Sequence, residues 1–490
     1  MSGRSGQAGP AGQTGQNQKS RTSVRPLAIL DRTRIVLFIL IGYCVLHFIV
    51  RLTVSPVFSL DEAEQMLFSQ DLQWGYRFRH PPLITWLTAL TQEFFGLNRW
   101  SFFALKYAIM AGGFVALFFA AQEILKDTRL AASATFLWGL TYVLGWYPHA
   151  DLMHTVLLTS LLAACLHAFT RILNHGGWLD YTYFGVTLGL GFLAKYVFAI
   201  LPVIGLVALL FVPKLAERIH WYRLGAAFFI AALIIAPYAL WILANQYSLT
   251  ALAGEMTKAD EQGFFLVRWA TGWAELALAS VEFTLPLSVL FLLFFPWTVR
   301  RLQSGPGAPA APCAPAAPGA PTAPNAPDIS GDDLSAYRRW LEVLMIIGLL
   351  VFASLVFFGA TFFKARWMHQ ILLVFPLYLM IRLAQSRIDW ARLRWMLILT
   401  LGVSVLVVAA RYIEFHAHAA TCGKCRTHLP IKAWAEEIQQ SGFSGGTIIT
   451  GDYHLGGNMR YFVEGARVVD PAFPLTVFPA PQGTGQCVIA

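Results

Sequence analysis

Three short polar stretches, each set between long apolar runs, hold the side chains best placed to do chemistry. The first is Ser59-Leu60-Asp61-Glu62-Ala63-Glu64, followed by Trp74-Gly75-Tyr76 and then Arg77-Phe78-Arg79-His80-Pro81-Pro82-Leu83. Ionisable groups are costly near lipid and are usually kept there for a function. Ser59 with Glu62 has the form of a helix capping box, which accounts for Glu62 and, through the helix dipole, partly for Glu64. It does not require Asp61, whose carboxylate could orient an attacking hydroxyl or accept its proton. The second stretch runs from Trp146 through His149, Asp151 and His154. Its His-x-Asp-x-x-His spacing could hold a divalent cation, although loop imidazoles and carboxylates without a metal are commoner. The third is Phe362-Phe363-Lys364-Ala365-Arg366-Trp367-Met368-His369. Arg offers a planar fork and Lys a point charge, so two such cations among aromatics suit a phosphate carried on an apolar chain. An interfacial anchor has the same composition.

The elements that must position these residues are membrane helices. The chain is 57% hydrophobic and 13% charged, with a mean hydropathy of +0.56. A soluble domain carries about 25% charged residues. Eleven apolar runs, most near the roughly 20 residues that cross a bilayer, lie at 35–54, 102–124, 130–147, 154–172, 180–194, 197–213, 224–243, 277–297, 341–360, 370–384 and 394–412; the fifth and tenth are short. Arg32 and Arg34, then Lys126 and Arg129, Lys214 and Arg218, Arg300 and Arg301, and Arg387 and Arg392 fall in alternate loops. That places the N-terminus in the cytoplasm and the C-terminus outside. The net charge of +9 therefore reports topology rather than a nucleic-acid partner. Residues 1–34 read as a disordered cytoplasmic tail and 304–333 as a Pro/Ala-rich cytoplasmic tether. The tether separates a membrane block at 35–303, with its outer loop at 55–101, from a second block at 334–412.

The outer side should be poor in cations, yet Arg77, Arg79, Arg99, Lys195, Lys258, Arg268, Lys364 and Arg366 lie at or near it. Such retention favours an anionic ligand there, against the plainer reading that these residues reach to lipid headgroups. From 413 to 490 the composition is that of a small soluble α/β domain, with a helix over 431–441 and strands at 447–450 and 466–470. Gly451, Gly456 and Gly457 resemble a phosphate loop only loosely. Cys422 and Cys425, on the oxidising side, favour a disulfide over a redox pair or a zinc half-site.

Leu60-Asp61-Glu62-Ala63-Glu64, Trp74-Gly75-Tyr76 and His80-Pro81-Pro82-Leu83-Ile84 together resemble the first outer loop of GT-C glycosyltransferases of the family 39 type. That group includes dolichyl-phosphate-mannose protein mannosyltransferases and the lipid A aminoarabinose transferase. Lys195-Tyr196, Lys364-Ala365-Arg366-Trp367 and an outer C-terminal domain fit the same pattern. The resemblance implies a mainly α, polytopic membrane protein of the GT-C type with about 11–13 transmembrane helices, interfacial helices in the first periplasmic loop and a small C-terminal periplasmic α/β domain. It implies an inner-membrane enzyme that moves a sugar from a polyprenyl-phosphate donor to a lipid or glycan acceptor, lipid A or lipopolysaccharide core, by inverting displacement. Asp61 and Asp151 would then be catalytic. Arg79, His80, Lys195, Tyr196, Lys364 and Arg366 would hold the donor phosphate, and Glu62, Tyr76, His149 and Trp367 would touch sugar or acceptor. Arg79-His80 stands where the aminoarabinose transferase has Glu-Lys: His80 would replace a phosphate-contacting lysine and Arg79 a metal-associated glutamate, a departure that leaves both that donor and a divalent metal open. The His-Pro-Pro-Leu form is nearer to subfamilies that include lipopolysaccharide galacturonic acid transferases. Protein O-mannosylation remains an alternative, as does a lipid or solute transporter. A transporter would place its acids mid-span, whereas the marked carboxylates here sit at one face.

Overall fold

The computed structural model describes residues 27–78, 80–151, 153–245, 264–300, 331–417, 426–473 and 487–489. Arg79, Lys258, Cys422 and Cys425, the tail to residue 26 and the tether from 304 to 330 lie outside the described residues.

The apolar runs fold as helices, because a chain in lipid must satisfy its own backbone hydrogen bonds. The first span is α1 (Thr33–Val54). An amphipathic α2 (Leu60–Phe68) and α3 (Leu83–Phe95) follow in the loop, then the long α4 (Arg99–Leu125). Next come α5 (Thr128–Phe136), two one-turn pieces, α6 (Tyr142–Gly145) and α7 (Tyr147–Ala150), then α8 (Met153–Asn174) and α9 (Trp178–Ala194). Six helices among the described residues are long and apolar enough to cross a membrane alone: α1, α4, α8, Trp221–Ala244, Gly331–Phe357 and the stretch Trp390–Ile413. Ala365–Leu372 and Phe375–Ala384 form a further pair bent by 46°.

Two further expected spans are broken, and their breaks meet. The run at 130–147 splits at Thr141, and the run at 277–297 splits at Pro286, between Phe265–Thr284 and Leu287–Phe294. Proline lacks the N–H a helix interior needs and clashes with the preceding turn. Thr141 and Pro286 form an antiparallel bridge, and the Tyr142 amide donates to the Leu285 carbonyl at 3.1 Å. Backbone groups freed at one break are thus satisfied by the other.

The C-terminal domain has helices Ile431–Gln440 and Tyr453–Phe462 and three short parallel strands, β1 (Gly446–Ile449), β2 (Ala466–Val469) and β3 (Cys487–Ile489), in the order β2-β1-β3. The helix Tyr453–Phe462 crosses over from β1 to its parallel neighbour β2, as such a pairing requires. That helix lies on α2. Asn458 accepts from the Phe58 amide at 2.8 Å, the His454 ring is 2.9 Å from the Phe58 carbonyl, and Arg460 donates to the Met66 carbonyl, the Ser69 hydroxyl and Gln92. Gln70 bonds both the amide and the carbonyl of Val468. Gly457 is where the two helices come closest: a Cβ there would overlap the backbone of Ala63. Gly457 is therefore a packing residue of this contact, and Gly456 packs within the domain against Thr450 and Val468. Gly457→Ala is expected to cost about 1–3 kcal/mol, the usual cost of overpacking, and to loosen the domain. Limited proteolysis should cut the variant between 413 and 430 faster than the parent.

Candidate active site

The site is built around α2, whose first turn is held by a buried charge cluster. Glu62 is 0% exposed. One of its oxygens accepts from Arg51 at 2.6 Å and from the Ser59 amide at 3.0 Å; the other accepts from Lys106 at 2.9 Å. Burial opposes the charge of Glu62, but Arg51 and Lys106 outweigh it and hold the carboxyl well below the ordinary range. Lys106 also donates to the backbone carbonyl of Asp151 at 2.9 Å. A single ammonium thus ties α4, α2 and the segment entering α8. The capping box read from the sequence is present, and Glu62 has no surface left for an acceptor.

Asp61 and Asp151 come together at this point. One Asp151 oxygen accepts from the Ser59 hydroxyl at 2.7 Å and from the Asp61 amide at 3.0 Å. Burial, and then the charges of Asp61 and Glu62, push the Asp151 carboxyl up to about 8 against the pull of Lys106 and Ser59. It therefore carries a proton at neutral pH, on the oxygen not engaged by Ser59. The Asp61 side chain is half-buried and makes no hydrogen bond or ion pair among the described residues. A carboxyl that keeps its proton beside a second carboxyl side chain can serve as a hydrogen-bond donor there.

The sign of the pH effect follows. A carboxyl raised in the fold is most compatible with folding below its unfolded value, and its contribution to stability falls as pH rises towards 8. Transfer should hold to about pH 8 and decline above it, as Asp151 ionises beside Asp61. Asp151→Asn keeps an acceptor for Ser59 and Asp61, so it should lose that alkaline limb and unfold at a higher temperature than the parent above pH 8. A limb that persists in the variant would assign it to another group.

The first turn of α8 joins this pair to the cations. His154 lies 3.0 Å from the Gln65 amide and 3.5 Å from Glu64, and His80 packs its ring on that of His154 at 4.2 Å. Glu64 pairs with Arg77 at 2.8 Å. Lys195 places its ammonium 3.5 Å from the Thr155 hydroxyl. Tyr196 donates to the Phe78 carbonyl at 2.7 Å and lies 2.6 Å from the Tyr238 hydroxyl, pinning the loop beside residue 79. Arg366 stands on the short turn Ala365–Met368, within electrostatic reach of Tyr147 in α7, and its guanidinium has no hydrogen bond or ion pair among the described residues. Lys364 lies 5.3 Å over the Phe362 ring. His80, Lys195 and Arg366 thus approach the segment 147–155 that also carries Asp151.

Three sequence expectations, for Glu62, Tyr76 and His149, are corrected. Glu62 is the buried clamp just described. Tyr76 is 2% exposed; it donates to the Asp71 carbonyl at 2.7 Å, accepts from the Gln73 amide at 3.1 Å and stacks on Phe68, so it folds its own loop. Trp367 packs edge-on against Phe362 and Phe363. His149 turns away from Asp151, since α7 carries it to the far side of the Glu62 cluster, where it meets Tyr43 at 2.8 Å and stacks on His47. With His149 and His154 pointing apart, the His-x-Asp-x-x-His motif does not gather a metal, and no three metal-ligating side chains converge among the described residues.

Sequence reasoning missed Arg51 and Lys106, although each is a charge inside an apolar span, which is itself a signal. It also missed Tyr453 of the C-terminal domain, which lies within electrostatic reach of Glu64, Arg77 and Asp61; nothing local marks that residue.

A membrane helix bundle with an interfacial acid-bearing helix under a small α/β domain resembles the GT-C architecture, and the chain is similar to GT-C glycosyltransferases of the family 39 type. The sequence profile of the dolichyl-phosphate-mannose-protein mannosyltransferases matches residues 79–241. The chain is 28% identical to the lipopolysaccharide core galacturonosyltransferase RgtB of Rhizobium johnstonii, over 89% of this chain and 83% of that protein. It is 26% identical to the lipopolysaccharide core galacturonosyltransferase RgtA of the same organism, over 90% and 83%. The fold is shared with ArnT from Cupriavidus metallidurans bound to undecaprenyl phosphate, at a TM-score of 0.60 and 13% identity, covering 91% of this chain and 90% of that one.

Proposed function

We propose that this enzyme moves galacturonic acid from a polyprenyl-phosphate donor to the lipopolysaccharide core or lipid A, on the periplasmic face of the inner membrane. The observation that carries the reading is the Asp61–Asp151 pair beside the α8 turn approached by His80 and Lys195. Similarity to two core galacturonosyltransferases supports the sugar and the acceptor class, and the Lys/Arg distribution supports the orientation.

The acceptor hydroxyl oxygen attacks the anomeric carbon as the carbon–oxygen bond to the polyprenyl phosphate breaks, with inversion. Asp61 orients that hydroxyl and takes its proton. Neutral Asp151 holds the first turn of α2 and donates a hydrogen bond beside it. The leaving phosphate gains charge, which Lys195, Arg366, Lys364, His80 and Arg79 stabilise; it needs no strong acid. The prenyl chain lies between membrane helices. The purified full chain, given labelled polyprenyl-phosphate galacturonic acid and rough lipopolysaccharide, should transfer label to the glycolipid. Label appearing on protein acceptors instead, as the mannosyltransferase profile would have it, or moving across vesicles without covalent transfer, would refute the proposal.

A further inference from the structure

An apolar cleft of about 440 Å³ lies in the half of the bundle away from Asp61. It runs between α1, α5 and the last membrane helix, Trp390–Ala417, with Leu40, Phe114, Phe136 and Leu397 in its walls. Gly42 of α1 lines it too, and a Cβ built there would meet nothing within 4 Å. The volume is that of a ligand cavity rather than a packing fault.

The walls say what fills it. The Tyr43 hydroxyl lies 2.8 Å from the His149 ring, and the hydroxyls of Thr135, Thr400 and Ser404 donate to carbonyls of their own helices. With these groups engaged, the walls present hydrocarbon to an occupant. Ile39, Leu46, Ile398 and Val405 line the cleft and are exposed, so it opens sideways to lipid. On the last helix its lining runs from Arg394 to Val408, about 21 Å at roughly 1.5 Å per residue. Half of a bilayer, headgroups included, is about 20–22 Å thick. The cleft is one leaflet deep.

Charge marks its outer end. Segments 27–34 and 389–395 close that end, where α1 begins, and their two acids are both engaged. Asp31 pairs with Arg129 at 3.2 Å and Asp389 with Arg392 at 3.4 Å. Arg32, Arg34 and Arg394 are exposed, and their side chains make no hydrogen bond or ion pair among the described residues. Arg394 itself lines the cleft. Unpaired cations at a bilayer surface attract anionic headgroups. The neighbouring tail does not supply the occupant: residues 1–26 are rich in Gly, Gln and Ser, with Met1 and Val24 their large apolar side chains.

We propose that this cleft seats an acyl chain of an anionic glycerophospholipid from the leaflet away from α2. Arg394 and the start of α1 meet the headgroup phosphate, and the chain fills the seam between α1 and the last helix. The site is separate from the sugar chemistry and holds whatever the donor and acceptor are.

The test is lipid binding by the delipidated full chain in detergent, read as thermal stabilisation against lipid concentration. The probes are phosphatidylglycerol, phosphatidylcholine and polyprenyl phosphate. Phosphatidylglycerol should stabilise the parent and bind about fivefold more weakly to Arg394→Gln, the worth of one cation at an anionic surface. Phosphatidylcholine should bind the parent more weakly by a similar factor. Gly42→Leu places methyl groups where the acyl chain lies, so it should weaken phosphatidylglycerol tenfold or more. Without lipid that variant should unfold no lower than the parent, because leucine is the better helix former. An unchanged Kd in Gly42→Leu overturns the acyl-chain site. Equal binding of the two phospholipids by the parent, or an unchanged Kd in Arg394→Gln, overturns the headgroup assignment. Polyprenyl phosphate that displaces phosphatidylglycerol from the parent would give the cleft to the donor tail instead and overturn the proposal.

Discussion

Replacing Asp61 with Asn should reduce sugar transfer by about a hundred- to ten-thousand-fold, the range for losing a positioned base, while leaving the fold and donor binding intact. Three observations set this expectation. The Asp61 side chain has no hydrogen bond or ion pair among the described residues, so the substitution removes no structural contact. Its backbone amide, which Asp151 holds at 3.0 Å, is unaffected. Its neighbour Asp151, pushed up to about 8, carries a proton beside it. The loss should therefore appear in kcat, with the KM for donor unchanged, and thermal unfolding should match the parent. A variant with full turnover would remove Asp61 from the chemistry.

The second large effect is on stability. Glu62→Gln leaves Arg51 and Lys106 buried, 5% and 0% exposed, without the carboxylate that neutralises them. Breaking a buried pair by removing one partner typically costs about 3–5 kcal/mol, since the remaining charge is uncompensated. Here one carboxylate serves two cations and also receives the Ser59 amide. The single variant should therefore give little folded protein in detergent. Adding Lys106→Met removes one stranded charge, so the double variant should recover part of the loss, and the coupling measures the pair. Normal yield and unfolding temperature for Glu62→Gln alone would mean the cluster does not hold α2.

Much of this arrangement was legible in the chain itself. Asp61 stood out because the capping box explained Glu62 and left Asp61 unexplained, and the buried clamp is what a capping acid becomes when two cations meet it. The helices were legible because lipid leaves the backbone few alternatives. What could not be read were matters of direction and long range. Aromatic type does not distinguish a sugar contact from core packing, and Tyr76, expected to touch sugar or acceptor, is buried in its own loop. His149 and Asp151 are two residues apart, yet the His149 side chain meets Tyr43 and His47 while the Asp151 side chain meets Ser59 and the Asp61 amide. The breaks at Thr141 and Pro286 lie far apart in sequence and stabilise each other. The docking of Tyr453–Phe462 on α2 joins residues almost four hundred positions apart, which no local pattern announces.

The most direct measurement is a structure of the full chain with a polyprenyl-phosphate sugar, or polyprenyl phosphate itself, in lipid nanodiscs. The account predicts phosphate density within hydrogen-bond reach of Lys195 and Arg366, beside the first turn of α8, with the Asp61 carboxylate facing the sugar end. Phosphate density held elsewhere, with Lys195 and Arg366 left in solvent and Asp61 turned from the sugar, would contradict it.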